Sequence, residues 1–219
     1  MTAAVMVETI ESLHTIATGN LQRGSVARII DCCAINMTYE CIKQIGGICT
    51  YDDYPNTLGK CVSNACTPFA SCDTVDSYHG LNDTALLPLL QKSTLFVSFH
   101  PPEESFLKYV GGIFQETNCS ESNTMYVLQL VGYSNTEQGV LFWIARNHWG
   151  KDWGENGYIR ILRGKNICGF GSLVYQPGVL AITTTIKSIS TTSSKAIRFY
   201  LTLKIFLFIT ILFYLFQYN

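Results

Sequence analysis

The chain contains 219 residues with a formal net charge of -1, of which 47% are hydrophobic and 14% charged. This length suits one large domain or two small lobes, and the near-neutral charge without a basic stripe argues against nucleic acid as a partner. The nine cysteines form no paired C-x-x-C motifs, so we expect disulfides in an oxidising compartment and neither a metal site nor a cofactor.

The first part of the chain is predicted to form short helices followed by a loop held by cysteines. Apolar residues recur at helical spacing between Ala3 and Ala17, and Gly19 with Asn20 supplies a stop signal. A second helix is predicted from about residue 37 to residue 44, before two glycines. Residues 49–72 are rich in Cys, Pro, Gly, Asn and Asp, which is typical of an irregular, disulfide-linked loop.

The middle of the chain is predicted to be mainly β-structure. Residues 86–91 favour one further short helix, and the rest up to about residue 179 contains β-branched and aromatic runs separated by Gly, Asn and Ser. The four runs that predict strands are 95–99, 127–131, 140–144 and 158–162. Helices followed by an antiparallel sheet predict an α+β fold.

The last part of the chain changes composition after Gly178. Residues 179–196 form a Thr/Ser-rich linker, and residues 197–217 are predicted to be a hydrophobic helix that anchors the protein in a membrane. The apolar stretch 199–216 would be about 27 Å long as a helix, marginally enough to cross a bilayer. Lys204 interrupts it but can reach the headgroups. A buried terminal helix is the alternative.

Two stretches of the chain carry a specific signature. The longer one reads N-H-W-G-K-D-W-G-E-N-G-Y-I-R-I over residues 147–161 and is followed by C-G at 168–169. The other reads I-E-S-L-H-T-I-A-T-G-N-L over residues 10–21 and is followed by D-C at 31–32. Both closely resemble the corresponding motifs of papain-like cysteine peptidases of the cathepsin L-like group. The resemblance covers residues 1 to about 178.

The resemblance implies a papain-like fold of two lobes with the active site in the groove between them. A helical lobe, truncated at its N-terminus, would comprise residues 1–74, and an antiparallel β-barrel lobe would comprise residues 75–178. In the family a G-C-N-G-G turn lines the groove, whereas this chain reads C-A-I-N over residues 33–36. Side chains at the two central positions would crowd that wall, so we expect peptide binding to differ from that of the family.

The resemblance also implies a set of disulfides. The implied pairs are Cys32–Cys61 and Cys119–Cys168, and a third expected pair is Cys49–Cys66. Cys33 corresponds to a cysteine whose family partner lies upstream of residue 1, so we expect Cys33 to lack an internal partner. No pairing is predicted for Cys41 and Cys72.

The catalytic groups of the family are a thiolate, an imidazolium beside it and an amide that orients the imidazole ring. Alignment of the motifs places Met1 at the position of the nucleophilic cysteine and Tyr126 at the position of the histidine. Asn147 retains the orienting amide, and Trp149 is expected to pack near it. His148 should point to the other face of its strand and is not expected to act as a base.

These replacements predict the loss of proteolysis. A thioether cannot ionise, and a phenol with a pKa of about 10 cannot supply the cationic partner of a thiolate. Loss of the nucleophile or the base alone removes a factor of about 10⁶ from the rate in an analogous triad. The expected protein is therefore an inactive relative of these peptidases.

Sequence signals for the cellular compartment disagree with one another. Three N-x-[ST] triplets predict glycosylation at Asn36, Asn82 and Asn118. No secretory signal opens the sequence, so the sequons and cysteines lead us to expect missing sequence upstream of Met1. With an upstream signal the papain-like domain would be lumenal or extracellular, and without one it would be cytosolic. Ser193 and Ser194, before the apolar run, also suit a GPI-attachment signal.

Three functional hypotheses follow. The first is a membrane-anchored homologue without proteolytic activity that acts by binding a polypeptide. The second is an incomplete product of a secretory or lysosomal-type cysteine endopeptidase, which hydrolyses peptide bonds through a thiolate acyl-enzyme. The third, an active enzyme with remodelled chemistry, is disfavoured by Tyr126. We expect the first, in a sequence that is incomplete at its N-terminus.

Overall fold

The structure, a computed structural model, describes residues 2–34, 37–119 and 125–178. The predicted linker, residues 179–196, and the predicted membrane segment, residues 197–217, lie outside these ranges. Within the described ranges, no helix is both long enough and apolar enough to cross a bilayer.

The helices lie mainly in the first half of the described chain. They are α1 (Thr2–Thr18), α2 (Val26–Cys32), α3 (Tyr39–Gln44), α4 (Asp83–Leu90) and α5 (Glu103–Leu107), with a 3-10 turn at Ile167–Gly169. The prediction of a long first helix is confirmed by α1, whose apolar face is buried. Gly19 follows its end with a φ of 74°, a left-handed conformation that glycine adopts without strain.

Two helices differ from the sequence prediction, and a capping side chain explains each difference. The apolar pattern does not predict α2, which begins after Ser25, whose hydroxyl accepts a hydrogen bond from the Arg28 amide at 3.1 Å. The fourth helix begins earlier than expected because the Asn82 side chain accepts from the Ala85 amide at 2.9 Å.

The described strands form one mixed sheet. They are β1 (Thr74–His79), β2 (Leu95–Phe99), β3 (Ile113–Phe114), β4 (Tyr126–Asn135), β5 (Leu141–Arg146), β6 (Tyr158–Leu162) and β7 (Leu173–Gly178). Their order is β1-β7-β2-β4-β5-β6-β3. The prediction of a purely antiparallel sheet is wrong at one edge, where the two-residue β3 pairs in parallel with β6. Such a short segment carries too few residues for a sequence pattern to reveal it.

The four strands predicted from sequence correspond to β2, β4, β5 and β6. The pattern does not predict β7, because Pro177 and Gly178 at its end are typical of turns and edges. In the structure β7 lies inside the sheet, between β1 and β2. The α+β class is confirmed.

The sheet separates two buried clusters of apolar side chains. Phe96 and Val127 point to one face and pack in the same cluster as Ile10 of α1. Their neighbours Val97 and Leu128 point to the other face and join the larger cluster, as the two-residue period of a strand requires. The boundary between a helical lobe, 1–74, and a β-lobe, 75–178, stays a prediction.

Four disulfides crosslink the described residues. The structure contains the three expected pairs, Cys32–Cys61, Cys49–Cys66 and Cys119–Cys168, and a fourth, Cys33–Cys41. The expectation that Cys33 lacks an internal partner is wrong, because α2 and α3 bring Cys41 beside it. Cys72 is the free cysteine, and burial raises the pKa of its thiol to about 11.

Candidate active site

The register of β4 against β5 positions the predicted site. Gln129 lies opposite Arg146, and Leu130 lies opposite Ala145. Continuing that register towards the start of β4 places Tyr126 opposite Trp149. The two rings are in contact, with centroids 5.8 Å apart.

Tyr126 is part of a buried aromatic cluster. Tyr126 is 4% exposed, and the centroid of its ring lies 4.6 Å from the ring centroid of Phe106. The ring centroid of Trp149 lies 5.3 Å from that of Phe106 and 5.4 Å from that of Trp153. Aromatic rings in edge-to-face and tilted contacts pack favourably. The phenol is therefore fixed in place by packing.

The hydroxyl of Tyr126 makes a weak polar contact with Glu103. It lies 3.5 Å from Glu103 Oε1, to which it donates. Burial, together with the nearby Glu103 charge, raises the pKa of Tyr126. The phenol therefore stays protonated and uncharged at neutral pH.

Asn147 follows β5 directly and is 4% exposed. Its backbone N–H donates to Gly157 O at 2.8 Å, and its Oδ1 accepts from the His148 backbone N–H at 2.9 Å. Its Nδ2 has no hydrogen-bond partner among the described residues. The amide that would orient an imidazole ring is thus held by its oxygen while its two N–H donors are unused.

His148 does not offer a cationic partner for a thiolate. Its Nδ1 is buried without a hydrogen-bond partner among the described residues, and burial lowers the pKa of its imidazole to about 4. The ring is therefore neutral at pH 7. A neutral imidazole does not provide the positive charge that lowers a thiol pKa.

Two carboxylates on α1 face the end of β5. Glu8 Oε1 lies 3.3 Å from Arg146 Nη2, and Glu11 Oε1 accepts from the Gly24 backbone N–H. Burial raises the pKa of both carboxyls, to about 7 for Glu8, although the Arg146 charge acts in the opposite direction. Glu8 and Glu11 are three positions apart, so the sequence alone indicates that they share a face of α1. Their burial, however, depends on the packing of α1 against β5.

Comparison with known proteins decides the family. The sequence profile described as "Papain family cysteine protease" matches residues 2–177. The chain belongs to the papain family of cysteine proteases. The match extends from the start of α1 to the penultimate residue of β7, so it includes all the other helices and strands described above.

Individual members of the papain family are similar over most of this chain. The P34 probable thiol protease of Glycine max is 32% identical over 194 residues, which cover 77% of this chain and 50% of that protein. Fruit bromelain of Ananas comosus is 29% identical over 177 residues, covering 74% and 50%. The chain therefore spans about half the length of the curated relatives it matches.

Solved structures agree with this assignment. The bromelain protease from Ananas comosus, in complex with the E64 inhibitor, aligns with a TM-score of 0.73 and 25% identity. The alignment covers 82% of this chain and 89% of that one. The papain-like α+β fold is therefore shared with a protease of known structure.

The structure places the predicted site residues as follows. Tyr126 and Trp149 are in ring contact, and Asn147 precedes Trp149 by two positions at the same end of the sheet. Met1 and Asn36 lie outside the described residues. The other two sequon residues, Asn82 and Asn118, are exposed, as an attached glycan requires. The roles given to all of these residues stay predictions.

The buried carboxyl of Glu8 predicts a pH dependence of stability. Its folded-state pKa of about 7 lies above the reference value of 4.5, so its contribution is fully present below pH 4.5 and is lost as the pH rises through 7. Relative to Glu8→Gln, the wild type should lose about 3 kcal/mol of unfolding free energy between pH 4 and pH 8. Urea unfolding at several pH values measures this difference.

The comparison with Glu8→Gln is needed because His148 changes the unfolding free energy with pH in the opposite direction. Its lowered pKa makes stability rise with pH between about 4 and 6.5, which masks the Glu8 effect in the wild type alone. The exposed Glu40→Gln substitution is the matched control for removing a solvated carboxylate. A difference between wild type and Glu8→Gln that does not change with pH would contradict the prediction.

Proposed function

We propose that this papain-family protein does not hydrolyse peptide bonds through a thiolate and acts instead by binding a polypeptide. Tyr126, at the start of β4, is the observation that supports this most. Its buried phenol, packed against Phe106 and Trp149, cannot become the cation that a thiolate needs beside it. His148 stays neutral and offers no replacement.

We also propose that the papain-like part is lumenal or extracellular and that the chain is attached to a membrane. Four disulfides support a lumenal or extracellular location for the papain-like part. The apolar composition of residues 197–217 supports attachment to a membrane. Extraction of cell membranes with alkaline carbonate tests attachment, and release by a phosphatidylinositol-specific phospholipase separates a GPI anchor from a spanning helix.

The absence of hydrolysis is tested directly with the full 219-residue chain. We expect no cleavage of casein or of a fluorogenic peptide library above the buffer rate, with bromelain from Ananas comosus as the positive control. Loss of about 10⁶ in rate is the scale set by removing one member of a catalytic triad. Hydrolysis that E64 abolishes would overturn the proposal.

A variant sharpens this test. Tyr126→His restores an imidazole at the start of β4 but supplies no nucleophile, so we expect it to remain inactive. Tyr126→Phe is the matched control, because it preserves the ring that packs against Phe106 and removes only the hydroxyl. If Tyr126→His gains E64-sensitive activity, the chain contains a working nucleophile and the proposal fails.

A cysteine endopeptidase, of which the given residues are a part, is the second candidate. It is supported by relatives whose names state protease activity, such as the probable thiol protease of Glycine max. Sequencing the transcript upstream of the Met1 codon separates the two candidates. An upstream reading frame that encodes a signal peptide and a G-S-C-W-A motif would favour the endopeptidase, whereas stop codons would favour the binding protein.

A further inference from the structure

The side chain of Arg28, in α2, is buried against a disulfide. Arg28 is 2% exposed, and its Nη1 donates hydrogen bonds to Cys49 Sγ and, at 3.2 Å, to Cys66 Sγ. Its Nη2 donates to the carbonyl oxygen of Ile45 at 2.9 Å. These partners all lie within residues 28–66, so the contact is made inside one stretch of the chain and involves neither end of it.

The positive charge of Arg28 is not balanced by a carboxylate in the described part of the chain. None of the ion pairs there includes Arg28, and its buried Nε has no hydrogen-bond partner among the same residues. A buried charge is normally paired, whereas the sulfurs of a disulfide are uncharged, weak acceptors. Opening the disulfide would supply the missing anion, because a thiolate would then lie beside the guanidinium.

The two sulfurs of this disulfide differ in their access to solvent. Cys49 is fully buried, whereas Cys66 is half-buried. A thiolate that arrives from solvent therefore attacks at Cys66, and Cys49 becomes the leaving group beside Arg28. Exchange is faster when the leaving thiol has a lower pKa, and a neighbouring arginine lowers the pKa of a thiol.

Burial and the guanidinium act on a Cys49 thiolate in opposite directions. The effect of burial is visible at Cys72, where it raises the pKa of the thiol from 9.0 to about 11. A unit charge about 3.5 Å away, at an effective dielectric constant of about 20, lowers the pKa of a thiol by about three pH units. The guanidinium therefore has the larger effect, and it makes Cys49 a better leaving group.

We propose that the Cys49–Cys66 disulfide is a site of thiol–disulfide exchange with low-molecular-weight thiols such as glutathione. The incoming thiol first loses its proton to solvent, and its sulfur then bonds to Cys66 Sγ. The bond between the two cysteine sulfurs breaks, and its electron pair leaves on Cys49 Sγ. The products are a mixed disulfide on Cys66 and a Cys49 thiolate paired with Arg28. This activity goes beyond the proposed polypeptide binding and does not rest on it.

The other three disulfides provide an internal comparison. Among the described residues, no other disulfide sulfur accepts a hydrogen bond from a cationic side chain. Cys61 is exposed, whereas the other paired cysteines are buried or half-buried. Access alone therefore predicts that Cys32–Cys61 opens first, whereas the contact with Arg28 predicts that Cys49–Cys66 does.

Reduction of the native, full 219-residue chain by glutathione tests this order. Samples are quenched in acid at intervals, denatured and blocked with N-ethylmaleimide, and peptide mass spectrometry follows all four disulfides. We expect Cys49–Cys66 to open about tenfold faster than Cys32–Cys61, with glutathione on Cys66 and N-ethylmaleimide on Cys49. Opening of Cys32–Cys61 at an equal or higher rate, or glutathione on Cys49, would overturn the proposal.

Variants assign the fast exchange to the guanidinium. Arg28→Met removes the charge and should slow the opening of Cys49–Cys66 about tenfold, while Arg28→Lys keeps a charge and should recover most of the rate. Arg163→Met is the matched control, at a half-buried arginine that packs on the rings of Tyr133 and Trp143, and should leave the rate unchanged. Unchanged rates at the other three disulfides verify that each variant is folded. A folded Arg28→Met protein that opens Cys49–Cys66 as fast as the wild type would contradict the proposal.

A titration measures the effect of the charge without an exchange step. Cys66→Ser leaves Cys49 as a free thiol, whose thiolate absorbs at about 240 nm and is measured as the difference from the Cys49→Ser, Cys66→Ser protein. With Arg28 present, this absorbance should appear at a pH at least about one unit lower than with Arg28→Met. Equal midpoints would refute the role of Arg28. If Arg28→Met does not fold, the order of opening in the wild type and the position of the glutathione still decide the question.

Discussion

Replacing Asp83 with alanine is expected to lower the free energy of unfolding by about 4 kcal/mol. Asp83 Oδ1 accepts from Trp143 Nε1 at 2.6 Å, and Oδ2 accepts from the backbone N–H groups of Gly164 and Asn166 at 2.7 and 2.9 Å. Trp143 is fully buried, so its N–H would be left unpaired away from water. The two backbone groups are more exposed and can be hydrated, which limits their share of the loss.

Asp83→Asn gives a stricter test of the same contacts. The asparagine side chain has the shape of the aspartate it replaces. Its carboxamide, however, accepts hydrogen bonds only at the oxygen and directs an NH₂ group towards N–H donors at the other position. We expect an intermediate loss of about 2–3 kcal/mol. Urea unfolding followed by tryptophan fluorescence measures both variants, with Asp76→Ala on the exposed side of β1 as control, expected to remain within about 0.5 kcal/mol of wild type. A loss below about 1 kcal/mol for Asp83→Ala would contradict this account.

Removing the Cys119–Cys168 disulfide is expected to produce a loss of similar size. The two cysteines are 49 positions apart, and a crosslink of that span reduces the entropy of the unfolded chain by an amount worth about 4 kcal/mol. The double substitution Cys119→Ser and Cys168→Ser should therefore lower the free energy of unfolding by about that amount under non-reducing conditions.

The Cys33–Cys41 disulfide provides the matched comparison, because its cysteines are only 8 positions apart. The same relation gives about 2.5 kcal/mol for that span. Urea unfolding of both double-serine variants should show the larger loss for the longer span. A larger loss for the shorter one would indicate that local packing, and not loop entropy, sets the stabilisation.

Part of the candidate site could be predicted from the sequence, because it rests on local patterns. The motif around Asn147 and the strand that begins with Tyr126 identify the family and align its positions. The contact between the rings of Tyr126 and Trp149 follows from the strand register, and the sequence analysis did not predict it. That Tyr126 takes the position of the histidine stays a prediction about one residue, and making it needs no coordinates.

Other features could not be predicted, since they depend on contacts between distant parts of the chain. Asp83 contacts Trp143 and Gly164, which lie 60 and 81 positions away. The pairing of Cys33 with Cys41 depends on how α2 and α3 pack, and no spacing rule selects it from the other possible pairs.

The sequence by itself determined the papain-family membership, the long first helix and the four principal strands. Apolar periodicity and motif residues act within a few positions, so they can be read from the chain alone. Only the tertiary structure decided that Glu8 is buried against Arg146 and that Asn147 Nδ2 and His148 Nδ1 have no hydrogen-bond partner within the described part of the chain. Burial is a property of space around a side chain, and that space is enclosed by residues far apart in the sequence.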